Sequence, residues 1–158
     1  MKIFKSFIIL IKIIIVFFII SCKERNSLRL ADDKIVKVIK TARSYIGAPY
    51  QYGGTTSKGI DCSGLLRNSF NKVDVSIPRT SKEQSKIGVR VKLKNIQRGD
   101  MVFFAFKRGK KITHVGLVTS ISKKKITFIH SSTQKGVIEE NLLAPHYLKK
   151  LVLIRRIL

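Results

Sequence analysis

Two side-chain types with reactive chemistry are scarce enough here to follow one by one: two cysteines, Cys22 and Cys62, and three histidines, His114, His130 and His146. Cys62 follows a stretch containing Gly47, Gly53, Gly54 and Gly59, and it opens a run in which Leu65, Leu66 and Phe70 form one apolar helical face. A helix is therefore predicted over 62–70, with the thiol at its start. The free N–H groups and dipole of a helix N-terminus favour negative charge. With an imidazole nearby, a thiol there is expected to fall well below its free value of about 8.5. A thiolate attacks carbonyl carbon, and the same N–H groups can hold the resulting oxyanion. His114 opens the run Thr113-His114-Val115-Gly116-Leu117-Val118, and His130 ends Phe128-Ile129-His130-Ser131. If these runs form an antiparallel hairpin, the start of one lies beside the end of the other. The two imidazoles are then cross-strand neighbours, and one can orient the other. Nucleophile, base and orienting group make a catalytic triad by role, whatever their order in the chain.

Each residue also has a plainer explanation. A free cysteine is most often a small buried hydrophobe, and a histidine at a strand end is often only a hydrogen-bonding residue. Asp61 could simply cap the helix that Cys62 begins. Gly99-Asp100 reads as a turn entering a strand, and His146, between Pro145 and Tyr147, as a surface residue. Zinc held by Cys62, His114, His130 and His146 is disfavoured, because structural zinc sites use close ligand pairs and these four are widely spaced. Neither a metal nor another cofactor is expected.

The elements that must position these groups follow from periodicity. Ile35, Ile39, Ala42 and Ile46 predict a first helix over 33–46, with Asp32 or Asp33 as its cap and Gly47 as its stop. Residues 47–61 read as an irregular loop delivering the chain to Cys62. Thr80-Ser81-Lys82-Glu83 fits a capping box opening a short helix to about Ile87. Beyond Gly88 the texture changes to strands: Met101 to Phe106, Val115 to Ile121, Ile126 to Ile129 and a closing strand from Leu151 to Ile154, with turns at 107–111 and 122–125. Helices first and an antiparallel sheet after them argue an α+β fold in one domain.

The first residues have a different character. Lys2 and Lys5 precede an apolar run from Phe7 to Ile20, broken by Lys12, and Ser21 precedes Cys22. That is the pattern of a secretory signal over 1–21. A cysteine directly after the small residue fits a bacterial lipobox, in which the thiol carries a diacylglyceryl group and anchors the protein to a membrane. An uncleaved transmembrane anchor is the alternative. Residues 22–32 then form the lipidated N-terminus and a short polar tether, with the domain proper at 33–158. If Cys22 carries lipid, Cys62 has no partner for a disulfide. An exported protein with one free thiol needs that thiol either buried or reactive.

The formal charge of the whole chain is +23, from 32 basic and 9 acidic residues. Loss of residues 1–21 removes three lysines, which leaves +20. Such a field concentrates anionic polymers and lipids of the envelope. Nucleic acid, the usual partner of so basic a protein, is excluded by export. The abundance of Lys and Ile also matches the bias of an AT-rich genome.

Several short motifs fall in one order: Gly47-Ala48-Pro49-Tyr50, Tyr52-Gly53-Gly54, Asp61-Cys62-Ser63-Gly64, Pro78-Arg79-Thr80-Ser81, Arg98-Gly99-Asp100-Met101-Val102-Phe103-Phe104 and Thr113-His114-Val115-Gly116. Over residues 33–157 the sequence resembles the NlpC family of cell-wall cysteine peptidases, also called p-sixty. The resemblance implies a papain-like α+β fold with the cysteine on a helix packed against the sheet. It implies Cys62 as nucleophile, His114 as general base and acid, and His130 as the residue orienting His114. It further implies that Tyr50 sits at the thiol, near the oxyanion or lining the pocket. Asp61 and Ser63 would contact substrate, the Asp61 carboxylate being available to a free amino group. The implied substrates are peptidoglycan stem peptides, cut between γ-D-glutamate and a diamino acid, by a monomer held at the membrane through Cys22. Two other readings compete: an amidase or acyl transferase using the same thiol, and a non-catalytic basic lipoprotein that binds the wall. A binding module would not need the intact Cys62, His114 and His130 set.

Overall fold

A computed structural model describes residues 27–106, 109 and 111–158. The predicted signal over 1–21, Cys22 and the first residues of the tether lie outside the described residues. The chain divides into two compact units, Met1–Lys34 and Ile35–Leu158. In the first, residues 27–34 are helical. Helix therefore starts within the expected tether, and neither Asp32 nor Asp33 caps a helix. Leu28, Arg29, Leu30 and Ala31 all favour helix, so helical conformation begins before the polar pair.

In the second unit, residues 35–43 are helical (α1) and bury Val38, Ile39 and Ala42. The helix ends earlier than the predicted 46: residues 44–47 form a turn in which the Ser44 hydroxyl donates to the Thr41 carbonyl, and Gly47 takes a positive φ of 87°. The expected irregular loop over 47–61 is more ordered than its glycines suggested. It holds a two-stranded ribbon, β1 (Thr55–Thr56) and β2 (Gly59–Ile60), and Tyr50 bridges to Ile60. Next comes α2 (Cys62–Asn71), whose buried face carries Leu65, Leu66, Ser69 and Phe70. The helix α3 (Ser81–Gln84) is shorter than predicted. Thr80 caps it by accepting from the Glu83 N–H, but Glu83 turns to Lys86 instead of completing the reciprocal box.

The remaining strands form one antiparallel sheet: β3 (Val89–Val91), β4 (Met101–Phe104), β5 (His114–Ile121), β6 (Ile126–Ser132), β7 (Gly136–Asn141) and β8 (Leu151–Arg156), in the order β3-β8-β4-β5-β6-β7. A 3-10 turn (Leu93–Asn95) follows β3, and a one-turn helix α4 (Pro145–Leu148) precedes β8. The sequence patterns found four of these strands with shifted ends and missed β3 and β7. β4 stops two residues short of the predicted Phe106, while β6 and β8 run on to Ser132 and Arg156.

Alternation along the strands divides the apolar residues between two layers. Met101, Phe103, Val115, Leu117, Ile129 and Val137 pack with Leu65, Leu66 and Phe70 of α2. Val102, Phe104, Val118, Phe128, Leu142, Tyr147 and Ile154 form a second cluster on the opposite face. Helices packed against a mostly antiparallel sheet make this an α+β fold, as expected from the order of elements. Two ties hold the Cys62 end of the unit together. Val137 donates to the Ala48 carbonyl at 2.9 Å, and the Ser131 hydroxyl donates to the Ile60 carbonyl at 2.7 Å. Gly136 makes the first tie possible: its φ is +70°, and a Cβ there would lie 2.3 Å from the Ala48 oxygen.

Candidate active site

The site begins with a cap. Asp61 has extended backbone, and its Oδ1 accepts from the Gly64 N–H at 2.7 Å, which starts α2 at Cys62. The Asp61 carbonyl takes the Leu65 N–H. The N–H groups of Cys62 and Ser63 are left at the helix N-terminus, beside the thiol. Both of them, and the N–H of Val115 on β5, lie near enough to the Cys62 sulfur to favour its ionised form. The start of β5 and the start of α2 thus meet at the sulfur, with Val115 directly after His114.

His114 and His130 lie on the opposite face of the sheet from the α2 core. Register pairs Leu117 with Ile129, so its continuation sets Gly116 opposite His130 and His114 one step diagonal to it. The two rings meet edge to face, with centroids 4.9 Å apart and His114 Nε2 2.8 Å from His130 Nδ1. The expected cross-strand pair therefore forms, as a diagonal rather than a direct one. Gly116 leaves the space over which Phe128 lies, since a Cβ there would come within 2.5 Å of that ring. Phe104, Phe106, Phe128 and Tyr147 surround the imidazoles.

This aromatic setting decides the protonation states. Burial, and then the neighbouring His130, push His114 down to about 3. Burial also lowers His130, against the raising effect of Glu140. Cys62, only 7% exposed, is pushed up to about 11. The sequence led us to expect the opposite, a thiol lowered by the helix N-terminus. The N–H groups of Val115, Ser63 and Cys62 do pull it down, but loss of hydration outweighs them, and the Asp61 charge adds to the rise. In the resting site the thiol and both imidazoles are neutral.

A cleft of about 310 Å³ opens beside the sulfur, lined by Tyr50, Tyr52, Asp61, Cys62, Ser63, Arg79 and Thr113 among others. Tyr50 is half-buried there. Its phenol is raised by burial, and by the charge that Cys62 carries once ionised and the charge of Asp61, so it remains a hydrogen-bond donor. Asp61 is not an open carboxylate. Its oxygens accept from Gly53 and Gly64 N–H groups, the Ser63 hydroxyl and both terminal nitrogens of Arg79, all between 2.7 and 2.9 Å. Burial pushes this carboxyl up, but those donors together hold it below the usual range. A substrate amino group would have to share these oxygens with Arg79. His146 is exposed on α4 and apart from the cleft lining, as its flanks suggested.

Three groups at the site had no assigned role in the sequence reading. Arg79 stood in a quoted motif, yet only the structure shows its double contact with Asp61. Glu140 Oε2 lies 2.9 Å from His130 Nε2, and Tyr147 donates to the same carboxylate oxygen. Glu140 had one usable signal: it is one of only nine acidic residues, and it lies shortly after the histidine strand. Among the described residues no cluster of His, Cys, Asp and Glu is arranged to hold a metal ion.

Comparison with known proteins identifies relatives of this chain. The model of the NlpC/P60 family matches residues 47–156. The murein DD-endopeptidase MepS/murein LD-carboxypeptidase of Escherichia coli K12 is 30% identical over 146 residues, covering 85% of this chain and 74% of its own. The gamma-D-glutamyl-L-lysine dipeptidyl-peptidase of Bacillus subtilis is 37% identical over 121 residues, 75% of this chain but 40% of that protein. An NlpC/P60 family protein from Bacillus cereus superposes with a TM-score of 0.70 at 32% identity, over 77% of this chain and 39% of that one. With the family model matching from Gly47 to Arg156, across the cleft and the whole sheet, the chain belongs to the NlpC/P60 family.

Proposed function

We propose that this protein is a cysteine peptidase that hydrolyses peptide bonds in peptidoglycan stem peptides, between γ-D-glutamate and a diamino acid. The observation that carries this reading is the meeting of α2 and β5. The Cys62 thiol lies against the Val115 N–H at the mouth of a cleft, and the adjacent His114 is hydrogen-bonded to His130. In this reading Cys62 is the nucleophile, His114 the general base and acid, and His130 the orienting residue. His114 spends Nε2 on His130, so Nδ1 is the nitrogen left to take the thiol proton. As the sulfur bonds to the carbonyl carbon, that proton passes to Nδ1 and the oxygen becomes an oxyanion. The oxyanion is held by the N–H groups at the α2 N-terminus, with the Tyr50 phenol beside them. His114 then protonates the leaving amine and the C–N bond breaks, leaving a thioester. Water attacks the thioester, its proton going to His114 and then to the departing sulfur, and the free carboxylic acid leaves. Because the resting pair is neutral, proton transfer accompanies attack instead of preceding it. Asp61, Ser63 and Arg79 form the polar wall that receives the amino end of the stem.

The bond assignment is supported by the relative from B. subtilis, named for γ-D-glutamyl-L-lysine; the murein DD-endopeptidase relative favours a different bond. We further propose removal of residues 1–21, a lipid on Cys22, a short tether and a peptidase domain over 33–158, which would hold a monomeric enzyme at the envelope surface. Its basic surface would favour contact with anionic envelope polymers. The test is to incubate the purified protein, with Cys62→Ala as control, with muropeptides containing diaminopimelate or lysine and to read products by mass spectrometry. A fragment pair ending in γ-D-glutamate, formed only with Cys62 intact, is the expected result. Cleavage at D-alanine instead would overturn the bond assignment. Binding of wall material without cleavage would overturn the peptidase reading in favour of a wall-binding lipoprotein.

A further inference from the structure

We propose that Glu140 is a positioning residue for the thiol site: its carboxylate fixes the direction of the hydrogen-bond chain that leaves His114 Nδ1 free to accept the Cys62 proton. The inference rests on the reading of Cys62 and His114 as the reacting pair.

The chain of contacts has one consistent assignment of protons. Glu140 Oε2 lies 2.9 Å from His130 Nε2 and also accepts from the Tyr147 hydroxyl, while Lys135 Nζ lies 3.3 Å from Oε1. An ionised carboxylate only accepts, so the proton on this edge of His130 belongs to Nε2. Tyr147 cannot reverse that assignment. Its hydroxyl is 3.4 Å from His130 Nε2, and its single proton goes to Glu140. In neutral imidazole the second nitrogen is then an acceptor. His130 Nδ1 accordingly takes the proton of His114 Nε2, 2.8 Å away. His114 is left with its lone pair on Nδ1. If His130 carried its proton on Nδ1 instead, His114 Nε2 would have to accept and His114 Nδ1 would hold a proton. The base would then have no site for the proton of the thiol. The direction of the whole chain is therefore set at its far end, by a residue of β7 that does not touch the cleft.

The surroundings strengthen that control. His130 is 3% exposed and Tyr147 7% exposed, and Phe128 stacks on the His130 ring with centroids 4.8 Å apart. A hydrogen bond to a charged acceptor in such a dry setting is stronger than the same bond in water. Glu140 adds to one of the two directions a charged acceptor that the pair of imidazoles alone lacks.

The three histidines of the chain make the test direct, because two-bond ¹H–¹⁵N spectra of the full-length protein in detergent resolve each ring. Exposed His146 serves as the internal reference. The expected spectrum shows protonated Nε2 and bare Nδ1 for both His114 and His130. Glu140→Leu is expected to mix the tautomers of His130 and to lower kcat about 10- to 100-fold with KM unchanged. Glu140→Gln keeps an acceptor oxygen, and it is expected to restore the tautomer and most of kcat. A wild-type His130 protonated on Nδ1 would overturn the proposal without recourse to any variant. So would a Glu140→Leu protein with unaltered tautomers, or one that loses activity through KM alone. The spectra need no substrate, so loss of the peptidase reading and loss of the Glu140 assignment are separate results.

Discussion

Replacing Asp61 by alanine should cost the fold more than replacing Cys62 beside it, and the amount can be worked from contacts. The Asp61 carboxylate makes the N-cap bond to Gly64 at 2.7 Å, and losing a cap costs about 1 kcal/mol. It also holds Arg79 at 2.7 and 2.9 Å. Removing one partner of a fully buried ion pair costs roughly 3–5 kcal/mol. Here the Asp61 side chain is 9% exposed but that of Arg79 is 32% exposed, so the stranded guanidinium regains water and the cost falls to about 1–2 kcal/mol. Gly53 is exposed, and its freed N–H finds solvent. The sum is about 2–3 kcal/mol. For a domain of this size that lowers Tm by about 8–12 °C, measurable by calorimetry. Asp61→Asn keeps an oxygen for the cap and gives up the charge, so it should lose about 1–2 kcal/mol, less than the alanine variant. The sign of the pH dependence follows from the lowered carboxyl. A carboxyl held below its unfolded value of about 3.9 contributes stability above that pH and loses it as pH falls through the folded value. The gap between wild type and Asp61→Ala should therefore close in acid. Three results would refute the reasoning: a loss under about 0.5 kcal/mol, an asparagine variant as damaged as the alanine one, or a gap that widens as pH falls.

Two further outcomes are expected. Iodoacetamide should label Cys62 slowly at pH 7, with a rate that climbs about tenfold per pH unit to beyond pH 9, because burial pushes the thiol up to about 11; a plateau already reached at pH 7 would show a preformed thiolate. Gly136→Ala should lower stability by about 2 kcal/mol or more, since it combines a positive φ with a Cβ contact of 2.3 Å on backbone; thermal unfolding unchanged from wild type would mean that β7 shifts freely against Ala48.

The parts of this molecule that could be read from sequence are those with a local cause. Cys62 begins a helix because Asp61 caps it and Leu65, Leu66 and Phe70 repeat at helical spacing, and all of these lie within ten residues. The histidines were legible as neighbours because a hairpin brings the start of one strand to the end of the next. The diagonal offset and the bulge near Thr119 depend on tertiary packing, and no pattern in the sequence carries them. The short strands β1 and β2 were hidden for a related reason. Glycine-rich sequence specifies turns, and the partners that turned this one into a ribbon, Ser131 on β6 and Val137 on β7, lie about 70 residues or more further on.

The error about the thiol is of another kind, because the local argument was sound and lost to a global one. The helix N-terminus does lower Cys62, through the N–H groups that the sequence placed there. Hydration is a property of the assembled site, however, and at 7% exposure its loss is the larger effect. The same burial lowers His114, so the site holds a thiol that resists ionising beside a base that resists protonation. Such a pair has little tendency to form thiolate in the absence of substrate, which protects the thiol from oxidation. The charge separation that attack requires must then be stabilised where it develops, by N–H groups around the sulfur and the oxyanion and by a relay that has its proton direction fixed in advance. A site arranged in this way should show its reactivity toward a bound acyl group far more than toward a small alkylating agent.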